Sequence, residues 1–102
     1  GSSLTGLDRL QADSYLQDLD AHIKQYWALP QWLINKPYKA QVLVKFDMTG
    51  KLISKQIYKS SGVQVYDDYC LQAITNAEPF PYFSEKFSEK YKSDGVVIGF
   101  PE

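Results

Sequence analysis

Between residues 40 and 60 the apolar side chains recur with a period of two, and this pattern limits the fold more than any other. Ala40, Val42, Val44 and Phe46 alternate with Gln41, Leu43, Lys45 and Asp47. Successive side chains of a strand point to opposite faces, so the stretch predicts a strand with one apolar face. Asp47, Met48, Thr49 and Gly50 then supply turn chemistry, with Gly50 free to take the positive φ of a bulged hairpin. Residues 51–60 return as a second strand, with Ile53 and Ile57 expected on one face. Lys51, Lys55 and Lys59 mark a side that meets water. Residues 95–100, GVVIGF, read as a third strand closed by Pro101.

A hairpin by itself is marginal in water and needs something packed on its apolar face. Leu16, Leu19, Ile23, Tyr26 and Trp27 recur at helical spacing and predict an amphipathic helix. Ser14 and Gln17 have capping-box spacing, with Asp13 beside them, so the helix is expected to begin there. It should end near Tyr26 to Ala28, because Pro30 disfavours helical backbone at Leu29. Leu4, Leu7 and Leu10 lie off the stripe and suit a helical stalk entering from upstream, and Gly1-Ser2 reads as a cloning scar. Residues 1–13 are therefore expected to be a tag remnant and the end of a stalk or linker, and residues 14–102 the domain. Residues 31–38 read as a connecting loop.

A second helix is expected from Asp67 and Asp68 onward, with Tyr66, Tyr69, Cys70, Ala73, Ile74 and Ala77 on its apolar stripe. Glu78-Pro79-Phe80-Pro81 cannot continue it. Phe83, Phe87 and Tyr91, spaced by four, predict a short third helix over 84–91. Strand, strand, helix, strand commonly forms a split unit in which the last strand lies beside the first. The expected fold is α+β: a three-stranded antiparallel sheet of order 2-1-3, packed by an N-terminal helix and a second helix.

Composition excludes several functions. The net charge is -1, with no basic stripe to hold nucleic acid. The longest apolar run, around residues 40–46, is far short of the ~20 residues that span a bilayer. His22 is the only histidine and Cys70 the only cysteine, so neither a Cys/His metal cluster nor an internal disulfide can form. His22 suits an ordinary boundary histidine and Cys70 a small core residue. Ser60-Ser61-Gly62 lacks the glycines and lysine of a phosphate loop and the GxSxG of a hydrolase, and reads as a strand-to-helix connection. Asp67 and Asp68 suit helix-end charges better than paired general acids. No cofactor is expected. A small ligand-binding or enzymatic domain with a pocket between helix and sheet stays open as an alternative, though few convergent polar groups support it.

The third strand carries no charge and no internal proline, unlike most edge strands, which are blunted by lysine, proline or bulges. If Gly95, Val96, Val97, Ile98, Gly99 and Phe100 lie on an edge, their free backbone groups form a template for another strand, the recognition mode called β-augmentation. If they lie inside the sheet, they are only core. Residue physics leaves both readings open.

YLQDLDAHIKQYWALP, AQVLVKFDMTGKLISKQIYKSSG, YDDYCLQAITNAEPFP and a last strand ending FP, in this order over residues 15–101, resemble the TolA/TonB family of C-terminal domains. The first helix ending WALP is closer to the TolA branch, and the hairpin with its SSG is shared with TonB. The resemblance implies a periplasmic domain of an inner-membrane-anchored protein in a Gram-negative bacterium, non-enzymatic and part of the Tol–Pal system. It implies TolB and Pal as partners, TolQ and TolR reached through an upstream region, and colicins or filamentous phage coat proteins as parasites of the same domain. It implies roles in outer-membrane integrity and cell division, with residues 95–100 as the partner-binding strand. The TonB branch implies instead an energy transducer that binds outer-membrane receptors. Some relatives staple the first strand to the second helix by a disulfide. Here Cys70 stands at the helix position and Ala40 near the strand position, so Cys70 is expected to be a free thiol.

Overall fold

The computed structural model describes residues 6–101. The hairpin forms as its pattern requires, with β1 over Ala40–Phe46 and β2 over Leu52–Lys59, antiparallel. Burial along β1 alternates strictly, with Ala40, Val42, Val44 and Phe46 buried and the residues between them half-buried. The turn is tight. Asp47 N–H donates to Lys51 O at 3.0 Å, and Gly50 N–H donates to Asp47 O at 3.0 Å. Asp47 Oδ1 accepts from the Thr49 hydroxyl at 2.6 Å, Thr49 N–H at 2.9 Å and Lys51 N–H at 3.0 Å. These donors, the Thr49 hydroxyl foremost, hold the carboxyl below its usual range. Gly50 has φ +89°, and a Cβ there would stand 2.1 Å from Phe80 O. Only glycine fits this close approach, which Phe80 N–H seals by donating to Gly50 O at 2.9 Å.

β2 departs from the simple pattern. Lys45 faces Ser54 but Phe46 faces Leu52, and Gln41 faces Lys59 but Val42 faces Ile57. Ile53 and Tyr58 are the extra residues of two bulges. Ile53 and Ile57 are therefore not equivalent. Leu52 and Ile57 pack against the core, whereas Ile53 is 51% exposed. Lys55 faces Val44 on the helix-covered side, where its ammonium donates to the Thr75 hydroxyl and, at 3.4 Å, to Leu71 O.

α1 runs Gly6–Lys24 without interruption. It passes through Ser14, so the capping box expected there does not form; the helix already has about two turns before it. Leu7 and Leu10 belong to α1, and Leu10 is exposed. Gly1, Ser2 and Leu4 lie outside the described residues. Leu19 and Ile23 are wholly buried and Ala12 nearly so, while Tyr26 is exposed. The last turn tightens, with Tyr26 N–H bonding Ile23 O at 3.0 Å and Trp27 N–H bonding Lys24 O at 3.2 Å, the i→i+3 pattern of a fraying end. Beyond Pro30 the expected loop contains one more helical turn, α2, over Gln31–Ile34. Pro30 sits at its N-cap, where a missing N–H costs nothing, and Leu33 is buried beneath it.

α3 spans Gln64–Asn76, beginning three residues before Asp67, and buries Tyr66, Asp67, Cys70, Ala73 and Ile74. The segment expected as a third α-helix is instead a 3-10 turn at Glu85–Phe87 followed by a π-helical turn at Lys90–Asp94. Phe83, Phe87 and Tyr91 are buried. Phe83 precedes the 3-10 turn, Phe87 ends it and Tyr91 lies in the π-helical turn, so the change of winding, not one regular α-helix, brings the three rings into the core. They join Phe46, Phe80 and Tyr15 in one aromatic cluster, with Phe83–Tyr91 centroids 4.8 Å apart and Phe46–Phe80 5.2 Å. Much of the aromatic content is thus spent on the core.

β3 spans Val96–Phe100 and pairs antiparallel with β1, Val42 opposite Ile98 and Ala40 opposite Phe100. The sheet order is β2-β1-β3. Trp27 packs on Phe100 with centroids 5.1 Å apart and on Tyr66 at 6.1 Å, placing α1 and α3 on the same face of the sheet. The other face, carrying Leu43, Lys45 and Val97, has no helix over it among the described residues.

Candidate functional site

The third strand is a border strand, with β1 on one side and no described strand on the other. Gly95 is not part of it. It precedes the ladder with φ +76°, its N–H bonding Lys90 O at 3.0 Å, and a Cβ there would stand 2.7 Å from Val44 O. Glycine is required for the π-helical turn to feed directly into β3. Val96, Ile98 and Phe100 turn their side chains to the core, while Val97 is 42% exposed on the open face.

The parity of the backbone follows from the turn. In an antiparallel pair, residues alternate between those that exchange both hydrogen bonds with one neighbour and those that face the other. Asp47 N–H points to β2, and the bulges of this pair fall in β2, so β1 itself is regular. Lys45 and Leu43 therefore face β2, and Val44, Val42 and Ala40 face β3. Their partners Val96, Ile98 and Phe100 are bonded inward. Val97 and Gly99 present their N–H and C=O groups outward. This row of two donors and two acceptors has no proline and no charge along it. The other border is unlike it: β2 is broken by bulges at Ile53 and Tyr58 and carries Lys55 and Lys59.

The remaining candidates for chemistry are occupied structurally. His22 Nε2 lies 2.7 Å from Ala77 O, tying α1 to the end of α3. Cys70 is wholly buried and free, in the same apolar cluster as Ala40. Burial foremost, and the nearby Asp67 charge, push its thiol up to about 12, so no thiolate forms at neutral pH. Asp67 is only 8% exposed. It accepts from the hydroxyl of Ser60, from Ser61 N–H at 3.0 Å and from the Ser61 hydroxyl at 2.7 Å. Burial alone would raise its carboxyl, but the bonds from Ser60 and Ser61 outweigh this and hold it low. Ser60-Ser61-Gly62 is thus the strand-to-helix connection expected, with Gly62 at φ +87°. No group of metal-ligating side chains gathers among the described residues, and no helix there is long and apolar enough to cross a membrane.

Residues near the border that the sequence reading did not assign to a site are Trp27, Leu29, Ile34, Tyr38 and Tyr66, with Trp27 and Tyr66 placed there only on helix stripes. With Leu33, Lys36 and Pro101 they line a pocket of about 270 Å³ beyond Phe100.

With this geometry in view, a family model described as TonB C terminal matches residues 12–94. Among solved structures, the chain is similar to "Solution NMR Structure of TolAIII Bound to a Peptide Derived from the N-terminus of TolB". The identity is 20% and the TM-score 0.62, over 98% of this chain and 76% of that one. At that identity the likeness establishes a shared fold. No curated protein matches the chain.

Proposed function

The chain belongs to the TonB C-terminal family, and from that premise we propose that it is a non-catalytic interaction domain that accepts a partner's strand on the free border of β3. The observation that carries this reading is the outward row of Val97 and Gly99 backbone groups on a strand with neither charge nor proline. Strand addition satisfies those groups and gives affinity through the ladder, while side-chain contacts supply specificity. Affinity should be modest, because five residues of border leave little surplus after the cost of ordering a partner segment.

The finer reading is a TolA-like periplasmic domain, comprising residues 14–102, with the preceding residues as a tag remnant and the end of a helical stalk. It would serve the Tol–Pal system in a Gram-negative envelope, with TolB as the first partner to test. Pal, and TolQ and TolR through the region upstream, complete the expected set, and colicins or phage coat proteins would exploit the same border. The fold shared with TolAIII, solved with a TolB-derived peptide, supports this choice. The TonB-like reading is favoured by the description of the matching family, and the sequence upstream discriminates the two. A proline-rich spacer favours TonB and a long alanine/lysine-rich helix favours TolA.

Titration of the ¹⁵N-labelled chain with a peptide derived from the N-terminus of TolB tests the assignment. Amide shifts are expected at Val96, Val97, Ile98, Gly99 and Phe100; shifts confined to β2 would overturn it. Val97→Pro removes one outward donor at a position where an edge strand tolerates proline. The loss of about 1.4 kcal/mol, one hydrogen bond with its surroundings, predicts roughly tenfold weaker binding with the domain still folded.

A further inference from the structure

The pocket beyond Phe100 begins where the ladder of β3 must stop. Pro101 has no N–H to offer, so a segment paired with Val97 and Gly99 loses its track there, and its next side chain leaves the border. That side chain meets a cup walled by Trp27, Leu29, Ile34, Tyr66 and Pro101. At about 270 Å³ it is smaller than the usual 300–1,000 Å³ of small-molecule sites and suits one large side chain better than a metabolite. The wall residue Ile34 is 58% exposed and its neighbour Trp32 59%, an apolar rim of the kind found around binding anchors. The charged residue among the described lining is a cation. Lys36 lines the cup, exposed and in no ion pair among the described residues, and no carboxylate of the described residues lines it.

We propose that this cup is the anchor subsite of the partner-binding surface. Its occupant is a bulky apolar side chain, aromatic or leucine-like, of the extended peptide that pairs with β3, next to an acidic residue that faces Lys36. The inference rests on the reading of β3 as the binding border. In the antiparallel arrangement that the rest of the sheet uses, the anchor lies at the N-terminal end of the paired segment.

Selection of a random peptide display library on the intact chain, followed by NMR titration of the selected peptides, tests it. The expected binders shift the Val97 and Gly99 amides and share a Trp, Phe or Leu beside an Asp or Glu at one end. Replacing that apolar residue by alanine should weaken binding about tenfold, the scale of a modest anchor. Ile34→Asp should produce a similar loss, while the alanine peptide should bind Ile34→Asp and the parent chain equally. Lys36→Glu should turn the preference from acidic to basic neighbours. Binders that move β3 but tolerate alanine at every end position would overturn the anchor and leave the border reading standing. Binders that leave the β3 amides unmoved, or the absence of any binder, would overturn both. A dimer in sedimentation that Ile34→Asp converts to monomer would assign the cup to a second copy and overturn the peptide.

Discussion

The Asp67 carboxylate gathers Ser60 and Ser61 around the start of α3, joining the end of β2 to the helix that covers it. Its carboxyl is held low, so its contribution is fully present above the unfolded value of about 3.9 and is lost as pH falls through the folded value. Asp67→Asn should cost about 1–3 kcal/mol at neutral pH, the range for unsatisfied buried donors. Denaturant midpoints measured from pH 7 downward should converge for parent and variant in acid; a constant gap would mean that the charge is irrelevant. At this scale the sequence was informative where chemistry is local. Gly50 and Gly62 could be read because a turn between two strands, and a strand meeting a helix, require their backbone freedom. The partners of Asp67 and of His22 could not, since a carboxylate beside a helix start reads as a dipole charge, and Ala77 is brought to His22 only by the packing of α1 on α3.

Along β3 the inward and outward residues alternate, and this has a direct signature in hydrogen exchange. Amides of Val96, Ile98 and Phe100 should be protected close to the global stability, and those of Val97 and Gly99 should exchange orders of magnitude faster, since they lack an internal acceptor. Uniform protection across the five would show that the border is already covered. The strands themselves were legible from alternation, and the order 2-1-3 from the connection rule. The bulges of β2 were not, because Ile53 and Ile57 keep the spacing of a regular strand while the register slips at Ile53 and Tyr58. α2 was missed because a single turn between Pro30 and Pro37 is too short to show a period. The pocket beside β3 was likewise invisible: its walls come from the stretch after α1, α2, the stretch before β1, α3 and Pro101, and no one segment carries the pattern.

Taken as a whole, the domain has two layers, with helices on one face and an open sheet on the other, and its single thiol lies in the layer between. Cys70 is wholly buried, with its pKa pushed up to about 12. Alkylation by iodoacetamide at neutral pH should therefore track global opening, slower than for a free thiol by the folding equilibrium, and accelerate in step with denaturant. Rapid labelling of the folded chain would place the thiol at the surface and break the packing described here. The two borders of the sheet differ as much as its two faces. A molecule with two receptive borders could join head to tail, each copy offering β2 to the next copy's β3, and such open stacking has no natural end. The bulges at Ile53 and Tyr58, with the lysines along β2, refuse that neighbour. On the proposed reading of β3, growth would therefore halt after a single guest, and the exposed ribbon could await a partner without seeding fibres.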